Sequence, residues 1–168
     1  VDLRPLDPFY EIRWPDGSRH VLSVNAARLS APGTDLAVVC SLTDITATVE
    51  SEERLRAVVE TAVDGIITID TSGRIESFNP AAARLFGYAA DEVLGRNVSL
   101  LMPEPDRSRH DGYLRHYLDG GEPHVIGVGR EVTAQHKDGS RIPIGLAVSE
   151  MHLGTRRLFT GILHDLTV

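Results

Sequence analysis

Phe78-Asn79-Pro80-Ala81-Ala82-Ala83-Arg84-Leu85-Phe86-Gly87-Tyr88 is the stretch on which the fold turns. Asn79 suits a helix N-cap, and Pro80 suits the first helical position, where a missing N–H is no loss. Small and apolar residues fill the helix, and Gly87 ends it. Upstream, Asp64-Gly65-Ile66-Ile67-Thr68-Ile69-Asp70 is a β-branched run, followed by the turn Thr71-Ser72-Gly73-Arg74 and a strand Ile75–Phe78. Downstream, Asp91-Glu92-Val93-Leu94-Gly95 reads as one more helical turn, and Pro103-Glu104-Pro105 breaks the chain. Asp106 to Leu118 then reads as the longest helix, ended by Gly120-Gly121. Val125-Ile126-Gly127-Val128 opens the first of three closing strands. The expected fold for residues 64 to 168 is α+β: an antiparallel five-stranded sheet with short helices and one long helix.

A repeat organises the rest. Asp16-Gly17-Ser18-Arg19 recurs as Asp138-Gly139-Ser140-Arg141. Each copy is followed by an apolar alternation, and each closes on a similar phrase, Thr43-Asp44-Ile45-Thr46 or His164-Asp165-Leu166-Thr167. Asp-Gly between alternating runs is a hairpin signal, since glycine takes positive φ in a tight turn without steric cost. Residues 1–46 are therefore expected to be three strands, equivalent to the last three of residues 64–168. Between them lies a stretch without Gly or Pro, read as a connector helix over 47–63. Leu55, Val58, Val59 and Ala62 make an apolar stripe at helical spacing. It either packs on its own domain or pairs with a second chain.

The 168 residues carry a net charge of −7 and one cysteine. No basic patch offsets that charge, because Arg107 and Arg109 are flanked by Glu104, Asp106 and Asp111, so nucleic-acid binding is disfavoured. A lone Cys40 excludes a disulfide framework and a cysteine zinc site. The longest apolar run, Leu36 to Cys40, falls far short of the ~20 residues that span a bilayer. The start Val-Asp-Leu-Arg has neither Met nor a signal-peptide pattern, which reads as an internal piece of a longer, cytoplasmic chain.

Phe78-Asn79-Pro80-Ala81-Ala82, Leu85-Phe86-Gly87-Tyr88 and Glu92-Val93-Leu94-Gly95 resemble the general core of PAS domains, and residues 64–168 match that fold from end to end. Residues 1–46 look like the last strands of a preceding PAS domain. Further phrases are more specific: Leu101-Met102-Pro103-Glu104-Pro105, Arg109-His110-Asp111-Gly112-Tyr113-Leu114, His124-Val125-Ile126-Gly127-Val128-Gly129-Arg130-Glu131-Val132, Lys137-Asp138-Gly139-Ser140 and Phe159-Thr160-Gly161-Ile162. Together they are similar to the haem-binding PAS domain of FixL-type oxygen-sensor histidine kinases.

That resemblance implies a non-covalent haem b with His110 as its iron ligand. His110 heads a helical face shared with Tyr113, Leu114, Tyr117 and Leu118, and reversible oxygen binding needs one neutral imidazole opposite an open position. On residues alone, a lone helix histidine is more often a partly exposed one; the resemblance reverses that weighting. In the family the arginine matching Arg130 pairs with a haem propionate, then turns to donate to bound oxygen. A strand reading places Arg130 on an inner strand among Ile126, Val128 and Val132. Val125, Leu146 and Val148 match the apolar residues over the iron, and Ile144 extends their set on the same strand. Tyr113 and His124 match positions near the cofactor. His116 stands where the family often has an arginine for the propionates, which implies a weaker, pH-sensitive contact.

Two further features are decoys. His164-Asp165 resembles a histidine-kinase phosphoacceptor box, but that box belongs on a long helix and this one closes a strand. Cys40 lacks the phrase of flavin photosensors and reads as a buried strand residue. The resemblance also implies oxygen as the signal (CO and NO as further ligands), and a parent sensor histidine kinase acting with a response regulator. A homodimer through the connector helix and the first strands is expected. No catalytic residue stands in this chain. The alternatives are a haemless dimerisation or signal-relay module and a haem sensor of CO, NO or redox state.

Overall fold

The structure, a computed structural model, describes residues 3–6, 9–29, 37–122, 125–127 and 129–167, and divides into two compact units, 1–57 and 58–168. In the first, β1 (Leu3–Leu6), β2 (Phe9–Arg13), β3 (Arg19–Leu29) and β4 (Ala37–Asp44) form an antiparallel sheet in chain order. That is one strand more than the repeat predicts. β1 has four residues including Pro5, too short to show an alternation, and a proline is tolerated there because β1 is an edge.

The repeat is structural as well as textual. Trp14 N–H donates to Ser18 O and Gly17 N–H to Trp14 O, both at 2.9 Å, and His136, Ser140 and Gly139 repeat those two bonds at 2.9 Å. Gly17 and Gly139 take φ of 86° and 90°, the left-handed value the turn requires. In the closing phrases Thr46 N–H donates to Asp44 Oδ1 at 3.0 Å and Thr167 N–H to Asp165 Oδ1 at 2.9 Å. Cys40, expected to be buried, is exposed on β4. Alternation puts it on the same side as Leu42, which is also exposed, so the apolar run reports a strand and not its burial.

Helix α1 (Thr46–Thr61) spans the boundary between the units and buries none of its residues. Its stripe points to solvent, with Leu55 66% and Val58 62% exposed.

The second unit runs β5 (Gly65–Asp70), β6 (Ile75–Phe78), α2 (Pro80–Phe86), α3 (Ala90–Val93), a 3-10 turn Val98–Leu101, α4 (Asp106–Leu118), β7 (Arg130–Gln135), β8 (Arg141–Leu153) and β9 (Arg156–Asp165). Its five strands pair antiparallel in the order β6-β5-β9-β8-β7, so the first and last strands meet at the centre. This is the α+β architecture expected from the sequence. Ile67, Ile75, Phe78, Ala82, Phe86, Val93, Val98, Leu101, Ala134, Ile142, Ile144 and Leu163 form one buried cluster between the sheet and the short helices. Gly87 ends α2 at φ 74°, and its missing side chain leaves room for the His136 ring, which a Cβ would meet at 2.3 Å.

One boundary moves. The first closing strand begins at Arg130, not Val125; before it, Ile126 makes only an isolated parallel bridge to Val148. Gly127, at φ 79°, turns the chain out of strand geometry.

Asn79 is the junction. It is 5% exposed and uses all four of its amide hydrogen bonds. Oδ1 accepts from Ala82 N at 2.9 Å and Ile66 N at 2.8 Å, while Nδ2 donates to Asp64 O at 3.0 Å and Val59 O at 3.1 Å. Removing it deletes an N-cap worth ~1 kcal/mol and strands buried groups at a further ~1–3 kcal/mol. Asn79→Ala should therefore lower stability by about 2–4 kcal/mol in urea unfolding followed by circular dichroism; a loss well under 1 kcal/mol would show that the surroundings relax to satisfy these groups.

Candidate functional site

Helix α4 carries His110, and it is held by polar ties rather than by burial, since none of its residues is fully buried. Arg107 donates from Nε to Met102 O at 3.0 Å and from a terminal nitrogen to Leu100 O at 3.1 Å. Asn97 Nδ2 donates to Asp111 Oδ1 at 2.9 Å. The half-buried residues of α4 are His110, Leu114, Tyr117 and Leu118, the single face that i, i+4, i+7 and i+8 spacing defines. Tyr117 shows where that face looks. Its hydroxyl donates to Glu150 on β8 at 2.7 Å, and its ring stands edge-on to Phe159 on β9 at 5.9 Å.

The sheet presents an apolar wall. Cross-strand register aligns Arg130, Leu146 and Leu163 in one row and Val132 with Ile144 in the next. A third row holds Ile126, Val148, Gly161 and Ile67. Ile144 is buried, and Leu146 and Val148 are half-buried. Val125 is half-buried beside this row, where Gly127 N–H donates to Val148 O at 3.0 Å. The register thus puts Arg130, Ile144, Leu146 and Val148 on one side of the sheet, with Val125 in the irregular segment that precedes Arg130.

Arg130 corrects its expected setting. β7 is the edge strand of the sheet, and Arg130, as its first residue, is exposed. Strand alternation reports a side chain's face and says nothing of a strand's rank in the sheet. Arg130 still shares Leu146's face, as directly paired residues do. Tyr113 and His116 are exposed on α4. The His116 ring lies against Gly121, where a Cβ would meet its Nε2 at 2.2 Å. His124 lies outside the described residues, as does Val128.

His110 is electrostatically unusual. Its Nδ1 is buried without a hydrogen-bond partner, because Asp111 Oδ1, at 3.6 Å, is too distant and is engaged by Asn97. Burial holds the imidazole below its ordinary 6.5, against a weaker opposite pull from Asp111, so it is neutral at physiological pH. A neutral imidazole with an unused nitrogen is a ready metal ligand. Among the described residues no three His, Cys, Asp or Glu side chains converge on a point. An iron porphyrin asks the protein for one such imidazole. One imidazole, an apolar wall and a cationic rim residue fit such a group.

Sequence reasoning missed one cluster. Glu150 continues the inward column of Ile142, Ile144, Leu146 and Val148, where alternation calls for an apolar residue. Arg157 binds it through Nε at 2.5 Å and a terminal nitrogen at 3.0 Å, and stacks 5.3 Å from the Tyr117 ring. The signal was the break in alternation at Glu150, seven residues before the second arginine of the pair Arg156-Arg157. His164, the other decoy, lies on β9 with Nδ1 2.7 Å from Asp64 Oδ1.

A family model described as the PAS fold matches residues 53–166. Sensor protein FixL of Bradyrhizobium diazoefficiens is 47% identical over 116 residues, covering 69% of this chain and 23% of the relative. Oxygen sensor protein DosP of Escherichia coli is 35% identical over 104 residues, covering 62% of this chain and 13% of the relative. The chain thus spans less than a quarter of the length of either. The crystal structure of the PAS domain of an HTR-like protein from Haloarcula marismortui superposes with a TM-score of 0.59 at 24% identity, over 71% of this chain and 95% of that one. At that identity the likeness concerns the fold alone. No helix among the described residues is long and apolar enough to cross a membrane.

Arg157, then the Tyr117 hydroxyl, hold the Glu150 carboxyl down from 4.5 to about 2. The folded state keeps this carboxylate ionised where the unfolded chain already takes up protons. Its contribution to stability is therefore present above about pH 4.5 and is lost as pH falls toward 2. The wild-type melting temperature should fall more steeply over that interval than that of Glu150→Gln; parallel slopes would show that the carboxylate is not selectively stabilised by folding.

Proposed function

Because this chain belongs to the PAS family over residues 53–166, we propose that residues 64–168 form an oxygen-sensing domain built around a non-covalent haem b, which His110 would hold by its iron. The observation that supports this best is the buried, unpartnered nitrogen of His110, on the helix face that Tyr117 turns toward the sheet. Haem supplies reversible coordination of a diatomic gas at ferrous iron. The chain's residues supply the rest. His110 offers a neutral imidazole. Val125, Ile144, Leu146 and Val148 exclude water, which protects ferrous iron from oxidation. Tyr113, His116 and His124 border the cofactor, the two histidines serving its propionates.

Arg130 is the residue that favours oxygen over other gases. It would offer a cationic hydrogen-bond donor, which a partly negative gas ligand such as oxygen would use and the much less polar carbon monoxide would not. Paired across from Leu146 at the sheet edge, Arg130 can turn its guanidinium toward the propionates or toward the gas. The curated relative named as an oxygen sensor agrees with that choice.

The signal leaves through the sheet and α1. We read residues 1–46 as the closing strands of a preceding PAS domain, 47–63 as a connector and the parent as a sensor histidine kinase working with a response regulator. The exposed stripe of Leu55 and Val58 is the homodimer seam of that connector. The same stripe favours the second reading, a haemless module that only dimerises and relays.

Three measurements separate these readings. After reconstitution with haemin, the protein should show a Soret band at one haem per chain, and its ferrous form a stable oxygen adduct in air. No Soret band removes the haem reading; a Soret band without an oxygen adduct leaves a sensor of CO, NO or redox state. His110→Ala should abolish stoichiometric haem, and full retention would mean another residue is the ligand. Arg130→Ala should weaken oxygen binding by about 10- to 100-fold, the worth of a hydrogen bond to a charged group, with a smaller change for carbon monoxide.

A further inference from the structure

The geometry points to Tyr117, Glu150 and Arg157 as a clasp that sets the position of α4 against the sheet, and so the firmness with which His110 holds its cofactor. The second half of this inference rests on the haem reading; the first half does not.

Tyr117 follows His110 by seven residues, which is two helical turns along the same face and roughly 10 Å along the axis. A helix with no fully buried residue rests on a half-buried apolar face alone, so its polar ties weigh heavily in where it lies. The N-terminal ties run from Asn97 to Asp111 and from Arg107 to Leu100, Met102 and, at 3.4 Å, Gln135 Oε1 at the end of the edge strand β7. The Tyr117 tie is the one at the C-terminal end of the helix, and it reaches the inner strands β8 and β9. Its hydroxyl donates to Glu150 Oε2 at 2.7 Å, and Arg157 grips both carboxylate oxygens from the neighbouring strand. Arg157 also lies over the Tyr117 and Phe159 rings, at 5.3 and 5.9 Å.

Glu150 itself argues for a dedicated role. Its side chain is only 16% exposed, at the end of the column that supplies Ile144, Leu146 and Val148 to the wall. A leucine there would extend the apolar surface, but it could neither accept the tyrosine proton nor orient the arginine. The facing charged groups are Arg157 from β9 and His152 on β8, whose Nε2 lies 3.4 Å from Glu150 Oε1. Both are cations or potential cations, and both favour the ionised carboxylate that the tyrosine needs as acceptor. The strand that lines the wall therefore also grips the helix that carries His110. A movement of one is passed to the other through one carboxylate.

The test uses the full chain with Tyr117→Phe, which removes one oxygen and keeps the ring on Phe159, and Glu150→Gln as the second variant. In the cofactor-free proteins, amide hydrogen exchange of residues 114–118 should quicken by about 5- to 10-fold in Tyr117→Phe, with a smaller rise in Glu150→Gln. Exchange in β5 and α2 should stay near wild type in both variants, and so should the melting temperature of Tyr117→Phe at pH 7. In haemin-loaded proteins, loss of haem to excess haem-free globin should quicken by a similar factor. Unchanged exchange and unchanged haem loss would overturn the clasp. A uniform rise in exchange with a lowered melting temperature would also overturn it, by making these residues ordinary contributors to stability. If wild type takes up no haemin while residues 114–118 still loosen in Tyr117→Phe, the haem reading fails and the positioning of α4 stands.

Discussion

The structure of the second unit depends on one buried amide. Asn79 makes four hydrogen bonds, to Ala82 in α2, Ile66 in β5, Asp64 in the link before β5 and Val59 in the last turn of α1. A carboxamide has two donors and two acceptor sites, and here each is used on a backbone group. The backbone bond from Asn79 N to Ile66 O, at 3.1 Å, closes the same knot. No other side chain type could serve both donors and acceptors in that space. Aspartate would face two carbonyls with no proton to give, and serine would reach only some of the four groups. The start of a helix, the start of a strand and the end of a second helix are thus specified together.

From that knot the unit divides into a firm part and a compliant part. Around β5, β6, α2 and α3 the side chains interlock, with Ile75, Ala82, Phe86 and Val93 at 1% exposure or less. Gly65 brings β5 so close to α2 that a Cβ would touch Ala82 at 3.4 Å. On the other side α4 buries nothing fully, and β7 is an edge strand that starts after an irregular stretch. Segments with few buried apolar contacts open at lower free energy than the core. A sensor needs that division: the part that receives a ligand must yield, while the part it pushes against must not. The residues proposed to meet the cofactor sit mostly on the compliant side, and Ile144 joins them to the core cluster.

Much of this was legible in the sequence where a single residue type has one physical use. Asn79, Pro80 and Gly87 mark both ends of α2, and Asp106 to Leu118 is a helix over the stated range, because caps and breakers act locally. The repeat was legible for the same reason, since an Asp-Gly turn needs no tertiary partner. What could not be read depended on neighbours distant in sequence. Val125 to Val128 has strand composition, yet Gly127 turns the chain aside, and among the described residues of that stretch Ile126 makes one isolated bridge. Arg130 was assigned to an inner strand, though its strand has a partner on one side alone. Cys40 lies in an apolar run and is nonetheless exposed, because nothing among the described residues covers that side of its strand. Glu150 was passed over because its meaning comes from Tyr117 and Arg157, 33 and 7 residues away.

The repeated closing phrase shows how a local code takes the chain out of a strand. Asp44 accepts from the N–H and hydroxyl of Thr46, the first residue of α1, while Ile45 N–H donates to Val21 O at 2.8 Å. In the second copy Asp165 accepts from the same two groups of Thr167, and Leu166 N–H donates to Pro143 O at 3.1 Å. In both, the aspartate pulls the chain out of its strand and presents the backbone as a capped turn. In the first copy that turn launches α1, near whose other end the Val59 carbonyl accepts from Asn79 Nδ2. The helix is therefore held at its start by a sheet exit and at its finish by the central knot of the second unit. Neither hold relies on burying its apolar stripe.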